Sequence, residues 1–235
     1  SLDVSHKLKL THLGLNMNEL TELDVSHNTE LEHLTCGSNH LTSLDTSGLM
    51  KLGYLECHNN ELTDLTMAGN VTVYSVMCGN NNLRTLDLYD LKYLETLSCE
   101  GNALTELDLT RNTQLNHLSC QDNDISQLDI RPCAGLVEAF FNGARTVLDS
   151  GTAVCYKIVG KFLEVEKSLT VDLDVNVIGE DNLITARNYN SYAHTSGSWL
   201  ANAGFRGIQN YVMDASYFSR LTRYATASEI SWLKQ

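Results

Sequence analysis

The chain has 235 residues, 43% of them hydrophobic, and a formal net charge of −13. That length suits one large or two small domains; no run of about eighteen apolar residues is present to span a membrane, and Ser1 to Ser5 carry neither the basic nor the apolar stretch of a secretion signal, which is therefore expected to have been removed. The excess acid lies entirely in residues 1–149, with eight Lys and Arg against twenty-one Asp and Glu, while the remainder balances at eight against eight. Such a field repels phosphate backbones and anionic membranes, so nucleic acid and direct membrane insertion are set aside and a basic or neutral partner fits better.

From the N-terminus the same letters return every 21 residues. Leu20-Thr21-Glu22-Leu23-Asp24 is answered by Leu41-Thr42-Ser43-Leu44-Asp45, and Leu62, Leu83, Leu104 and Ile125 open equivalent segments. The other half of each unit reads Leu-x-x-Leu-x-Cys-x-x-Asn, as in residues 31–39. Five clear copies are flanked by divergent ones at 10–18, with Leu15 at the Cys place, and at 136–144, with Phe141 there. Apolar spacings of three and two do not make a helical stripe. They suit a short strand crossing a narrow core, with a turn at the Asn. One such unit cannot cover its own Leu side, so about seven coils are expected to stack into a solenoid with a parallel sheet along one flank and a mostly irregular or β other flank. Because Ser1 enters mid-repeat, the chain is expected to be trimmed from something longer.

These units resemble bacterial leucine-rich repeats of the 21-residue class, similar to those of internalins and related surface proteins, including members with one Cys per repeat in the core. The resemblance covers roughly residues 2–146. It implies a fold, a bacterial surface or secreted location, and a recognition or adhesion role, while the scaffold itself serves many partners.

Three columns recur within the coils. Cys36, Cys57, Cys78, Cys99 and Cys120 stand one above another, and the reading favoured is reduced thiols acting as small core hydrophobes. Disulfides between coils and a thiolate metal site are the alternatives; the first is awkward because parallel strands aim both Cβ atoms the same way, the second because the sulfurs lie along a line. No metal or cofactor is expected. Asn18, Asn39, Asn60, Asn81, Asn102 and Asn123 fall where the chain turns inward, and their amides are expected to bond backbone groups of the neighbouring coil. Asp3, Asp24, Asp45, Asp87, Asp108 and Asp129, with Thr66 the exception, are expected to bond local turn amides rather than a cation. Cys133 and Cys155 lie outside the ladder, and their pairing is left open.

If the Cys half-unit is the strand, three columns point outward: His33, Tyr54, Ser75, Thr96, His117, Glu138; Thr35, Glu56, Met77, Ser98, Ser119, Phe140; and Gly37, His58, Gly79, Glu100, Gln121, Asn142. They vary from coil to coil while the core letters do not. Candidate ligand-binding residues are therefore His33, Tyr54, Glu56, His58, Met77, Glu100, His117, Gln121, Glu138 and Phe140. His58 beside Glu56 has no nucleophile placed with it by the repeat, so no catalytic residue is assigned and the chain is not expected to be an enzyme.

Beyond Val147 the register fails. Residues 147–235 are expected to form a small β-rich domain, with strands at 153–159, 162–165 and 169–178 and turns at 160–161 and 179–182. The family resemblance implies an immunoglobulin-like module at this place, and shielding of the last coil is the other role expected of the segment. Residues 188–223 are rich in Tyr, Ser and Asn, which suits either a small core or a second binding surface carrying Trp199 and Tyr211. Residues 228–234 suit a final short helix. The leading reading is a non-catalytic module that binds a protein or glycan on another cell or surface through the repeat sheet; in the alternative the repeats are a spacer for a C-terminal glycan- or receptor-binding domain.

Overall fold

The computed structural model describes residues 2–147, 152–159, 164–172, 174–179 and 183–185. The expected short helix at 228–234 and the aromatic stretch with Trp199 and Tyr211 lie outside these residues.

The repeats form a solenoid. Its main strands are β1 (His12–Gly14), β2 (His33–Thr35), β4 (Tyr54–Glu56), β6 (Ser75–Met77), β7 (Thr96–Ser98) and β8 (His117–Ser119), each centred on the second Leu of the Cys half-unit or, in β6, on Val76. Every successive pair is parallel and in register, with Leu13, Leu34, Leu55, Val76, Leu97 and Leu118 side by side. The other half-unit supplies β3 (Ser43–Asp45) and β5 (Asp64–Thr66), which pair with each other, and β9 (Gln127–Asp129).

Between the two flanks lies one core. Leu31, Leu34, Cys36, Leu41 and their equivalents in later coils are essentially inaccessible to solvent, and each fully buried Leu contributes about 1.5–3 kcal/mol relative to exposure. Coil one is different: Leu10, Leu13, Leu15, Leu20 and Leu23 pack on the core but stay partly exposed, because among the described residues no coil lies on their far side.

The Asp column behaves as expected, and so does the Asn column except at Asn18, which bonds the Leu15 and Asn16 carbonyls of its own coil. Asn60 Nδ2 donates to the carbonyls of Cys57 (3.1 Å) and, one coil back, Cys36 (3.0 Å), while its Oδ1 accepts the Leu41 N–H at 3.0 Å. Asn39, Asn81, Asn102 and Asn123 repeat that pattern. The residue before each ladder Asn, namely Met17, Ser38, Asn59, Asn80, Gly101 and Asp122, has φ between +52° and +63°, the left-handed kink that turns the chain inward. Asp3, Asp24, Asp45, Asp87, Asp108 and Asp129 each accept the N–H two residues on. A second, sparser ladder accompanies them: buried Asn28, Asn70 and Asn112 occur in alternate coils and donate to carbonyls of the preceding coil.

The last turn departs from the expected seventh coil. Instead of a strand, α1 (Ala134–Asn142) forms there, with Leu136, Ala139 and Phe140 buried at helical spacing. Its place in the main sheet is taken from further along the chain. Strands β10 (Ala144–Val147), β11 (Thr152–Val159) and β12 (Glu164–Asp172) form an antiparallel meander, and β12 lies parallel to β8 with Leu169 beside Leu118. After a turn, β13 (Asn176–Ile178) lies parallel to β9 and is itself paired with β14 (Leu183–Thr185). Buried Leu169, Val171, Val175 and Val177 thus continue both flanks of the core and cover the end of the last coil, together with α1.

Candidate functional site

The strand register sets the outward face. Columns one to three begin one coil earlier than the sequence reading took them, with His12, Gly14 and Asn16, and β12 extends the first two with Ser168 and Thr170. The rings of column one stack along the solenoid: His12 and His33 are 4.4 Å apart and nearly parallel, and Tyr54 follows at 5.9 Å. That spacing approximates the strand separation of about 4.8 Å.

Beside this ridge Glu56 is held by three donors. Tyr54 Oη donates to its Oε2 at 3.0 Å, Asn16 Nδ2 reaches Oε1 at 2.8 Å from two coils away, and His58 Nε2 is 3.0 Å from the same oxygen. Burial, and then the Glu56 carboxylate, push the Tyr54 hydroxyl up to about 12, so it stays a neutral donor at physiological pH. The Tyr54 hydroxyl also lies 3.4 Å from Met77 Sδ. Gly37 leaves room for the His58 ring, which would lie 3.0 Å from a Cβ there. Gly79 does the same for Glu100: its carboxylate would overlap a Cβ at 2.4 Å, and Ser98 donates to it at 2.6 Å.

Of the residues singled out by sequence, His33, Tyr54, Glu56, His58, Met77 and Glu100 share this face, clustered over coils two to five. His117 and Gln121 stand at its far end. Burial lowers the pKa of His117, whose Nδ1 is 3.1 Å from Ser168 Oγ of β12. The expected outward strand positions of Glu138 and Phe140 are overturned, because both are on α1: Phe140 is 0% exposed in the core, and Glu138 is half-buried, ion-paired with Lys157 and, at 2.5 Å, with Lys167. The intended member of column three, Asn142, is the last residue of that helix. Ser75, also assigned to an outward column, is buried.

The cysteine ladder is internal. Cys36, Cys57, Cys78, Cys99 and Cys120 are free thiols, none more than 2% exposed, and burial pushes every one well above the ordinary thiol range. Cys133 is likewise a buried free thiol, its Sγ 3.3 Å from the Asn112 carbonyl, so it does not pair with Cys155. Among the described residues no group of three or more His, Cys, Asp or Glu is arranged to hold a metal ion, and no helix is long and apolar enough to cross a membrane.

Sequence reasoning missed His12 and Asn16, although reading the outward positions of the first divergent copy would have found them. It also missed the turns leading into the main strands, where Tyr74, Tyr89 and Tyr93 are 41%, 58% and 54% exposed and the Arg111 guanidinium lies 4.4 Å from the centre of the Tyr89 ring.

The 21-residue coils, the parallel sheet and the two side-chain ladders define a leucine-rich-repeat solenoid with a cysteine column. No protein-family model and no curated protein matches the chain. Among solved structures it is similar to the functional domain of InlJ from Listeria monocytogenes, which includes a cysteine ladder, at 28% identity over 58% of this chain and 40% of that one, with a TM-score of 0.43. It is also similar to the internalin InlF from Listeria monocytogenes, at 20% identity over 54% and 43% with a TM-score of 0.45. A third is YopM, a leucine-rich effector protein from Yersinia pestis, at 22% identity over 52% and 42% with a TM-score of 0.38. The matches thus span about two fifths of the length of each of these structures.

Proposed function

We propose that this chain is a non-catalytic recognition module that binds a protein through the outward face of its main sheet, at a bacterial surface or secreted from it. The observation that carries this reading is the contrast between an invariant frame and a varied face. Leu, Cys and Asn repeat coil after coil inside, while outside the same positions hold a stacked His–His–Tyr ridge, an organised Glu56 network and Met77. Tyr and Met with few lysines are the composition of interface centres, and side chains already fixed by one another lose little entropy on binding.

The test is a screen of the full chain against panels of purified surface proteins and glycans by surface plasmon resonance, repeated with three double variants. Tyr54→Ala with Met77→Ala is expected to weaken a protein hit at least tenfold. Loss instead in Tyr89→Ala with Tyr93→Ala moves the site to the turn flank. Loss only in Trp199→Ala with Tyr211→Ala makes the repeats a spacer, and a hit confined to glycans overturns the protein reading.

A further inference from the structure

Resting on the sheet as the reading surface, the chemistry of that face specifies its partner further. The eighteen outward positions of the six coils include Glu56 and Glu100 and no Lys or Arg. The basic side chains Lys51, Lys92 and Arg111 sit instead in the turns that precede main strands, and Arg131 in the turn between β9 and α1. We propose that the face receives an extended, basic protein segment whose arginine or lysine side chains seat on Glu56 and Glu100.

Three features support a cationic occupant. Two of the three groups that hold Glu56, Asn16 and Tyr54, are neutral and orient the carboxylate without cancelling its charge; the third, His58, pairs with Oε1 and leaves Oε2 to the Tyr54 hydroxyl. Glu100 accepts a hydrogen bond from Ser98 through Oε2 alone among the described residues, which leaves Oε1 and one edge of the carboxylate open to a guanidinium fork. The stacked ridge of His12, His33 and Tyr54 runs alongside, a wall for the aliphatic stem of an arginine or lysine.

Spacing narrows the shape. Asn16 draws the Glu56 carboxylate back toward coil two, and Glu100 folds over Gly79 of coil four, so the two charges are separated by about two strand spacings, roughly 10 Å. A segment in the polyproline II form covers that distance in about three residues, at about 3.1 Å each, and returns every third side chain to the same face. Two basic residues three apart match it, whereas two adjacent ones do not.

The experiment measures fluorescence anisotropy of the full chain with three labelled proline-rich peptides of equal length: one with two arginines three residues apart, one with two adjacent arginines, and one with two glutamates three apart. The spaced arginine peptide is expected to bind at least fivefold more tightly than the adjacent one, and the glutamate peptide not at all. Glu56→Gln with Glu100→Gln should weaken binding at least tenfold, while Glu22→Gln with Glu106→Gln, which removes the same charge from the opposite half-units, should change it less than threefold. Glu100→Gln alone repeats the test if the double variant fails to fold. Equal losses in the two double variants, or no discrimination between peptides, overturn the proposal. Should a protein partner from the screen lose affinity with Tyr54→Ala and Met77→Ala but not with Glu56→Gln and Glu100→Gln, the sheet remains the site and only the basic segment is ruled out. Should none of the four substitutions matter to that partner, the sheet reading itself falls.

Discussion

Asn60 is 8% exposed, and its amide closes four backbone contacts in two coils. Replacing it with Ala leaves the Leu41 N–H without a partner in a dry core, while the Cys36 and Cys57 carbonyls lose one donor each and keep those of Asn39 and Asn81. The unmet donor costs about 1–3 kcal/mol and the lost bonds add to it, so the variant is expected to lose about 2–4 kcal/mol in urea unfolding. Asn18, which is exposed and bonds only the carbonyls of its own coil, is the internal comparison; Asn18→Ala should cost under about 1 kcal/mol. The buried thiols give a second expectation at this scale. Cys78 is pushed from 9.0 to about 12 by burial, so between those values the unfolded chain releases a proton that the folded chain retains. Stability therefore falls as pH rises through that window, by about 1.4 kcal/mol per unit for each fully protected thiol. Urea midpoints measured at pH 7, 9 and 10 should fall less steeply in Cys78→Ala than in the parent.

At the scale of elements, the repeat period read from the sequence locates every main strand through β8, because each coil repeats its core letters and its turn residues together. It fails at α1 for the same reason. Leu136 and Phe141 satisfy the 21-residue lag, yet Leu136, Ala139 and Phe140 also fall at i, i+3 and i+4, and in the fold it is this helical stripe that is buried. The two placements of Phe140 differ sharply in energy. An exposed position on the sheet would tolerate Ala within about 0.5 kcal/mol, whereas a fully buried ring on a capping helix should cost about 3–5 kcal/mol. Urea denaturation of Phe140→Ala decides between them, with Tyr93→Ala, 54% exposed, as the reference for a small effect.

Across the whole molecule, the solenoid is closed by chain that no local pattern announces. Leu169 takes its place beside Leu118 from 51 residues downstream and Val177 beside Leu128 from 49, so this closing turn is two residues shorter than a coil and reached only after the α1–β10–β11 excursion. A β-rich stretch was legible there as β-branched alternation, but the expected strands at 162–165 and 169–178 divide instead into β12 and β13, and their docking was not legible, since pairing at that separation leaves no fixed lag in the sequence. The Glu56 network was half legible for a similar reason: Tyr54 and Glu56 share β4 and His58 follows two residues on, while Asn16 joins from two coils away.

The closure has a consequence for the intact chain. Without β12, strand β8 is an open edge with unpaired N–H and C=O groups above the apolar end of the last coil, the configuration that leads sheets to pair with other copies. A chain ending at residue 148 is therefore expected to elute as oligomers and to unfold at lower urea than the full chain. Truncation removes much besides β12, so Leu169→Asp in the full chain isolates the contact: it places a carboxylate where Leu169 is 0% exposed against Leu118. It should cost at least about 3 kcal/mol. Unchanged unfolding in Leu169→Asp would mean that the repeats end securely at β8 on their own; a matching loss in both variants would make the downstream strand the true last rung of the solenoid.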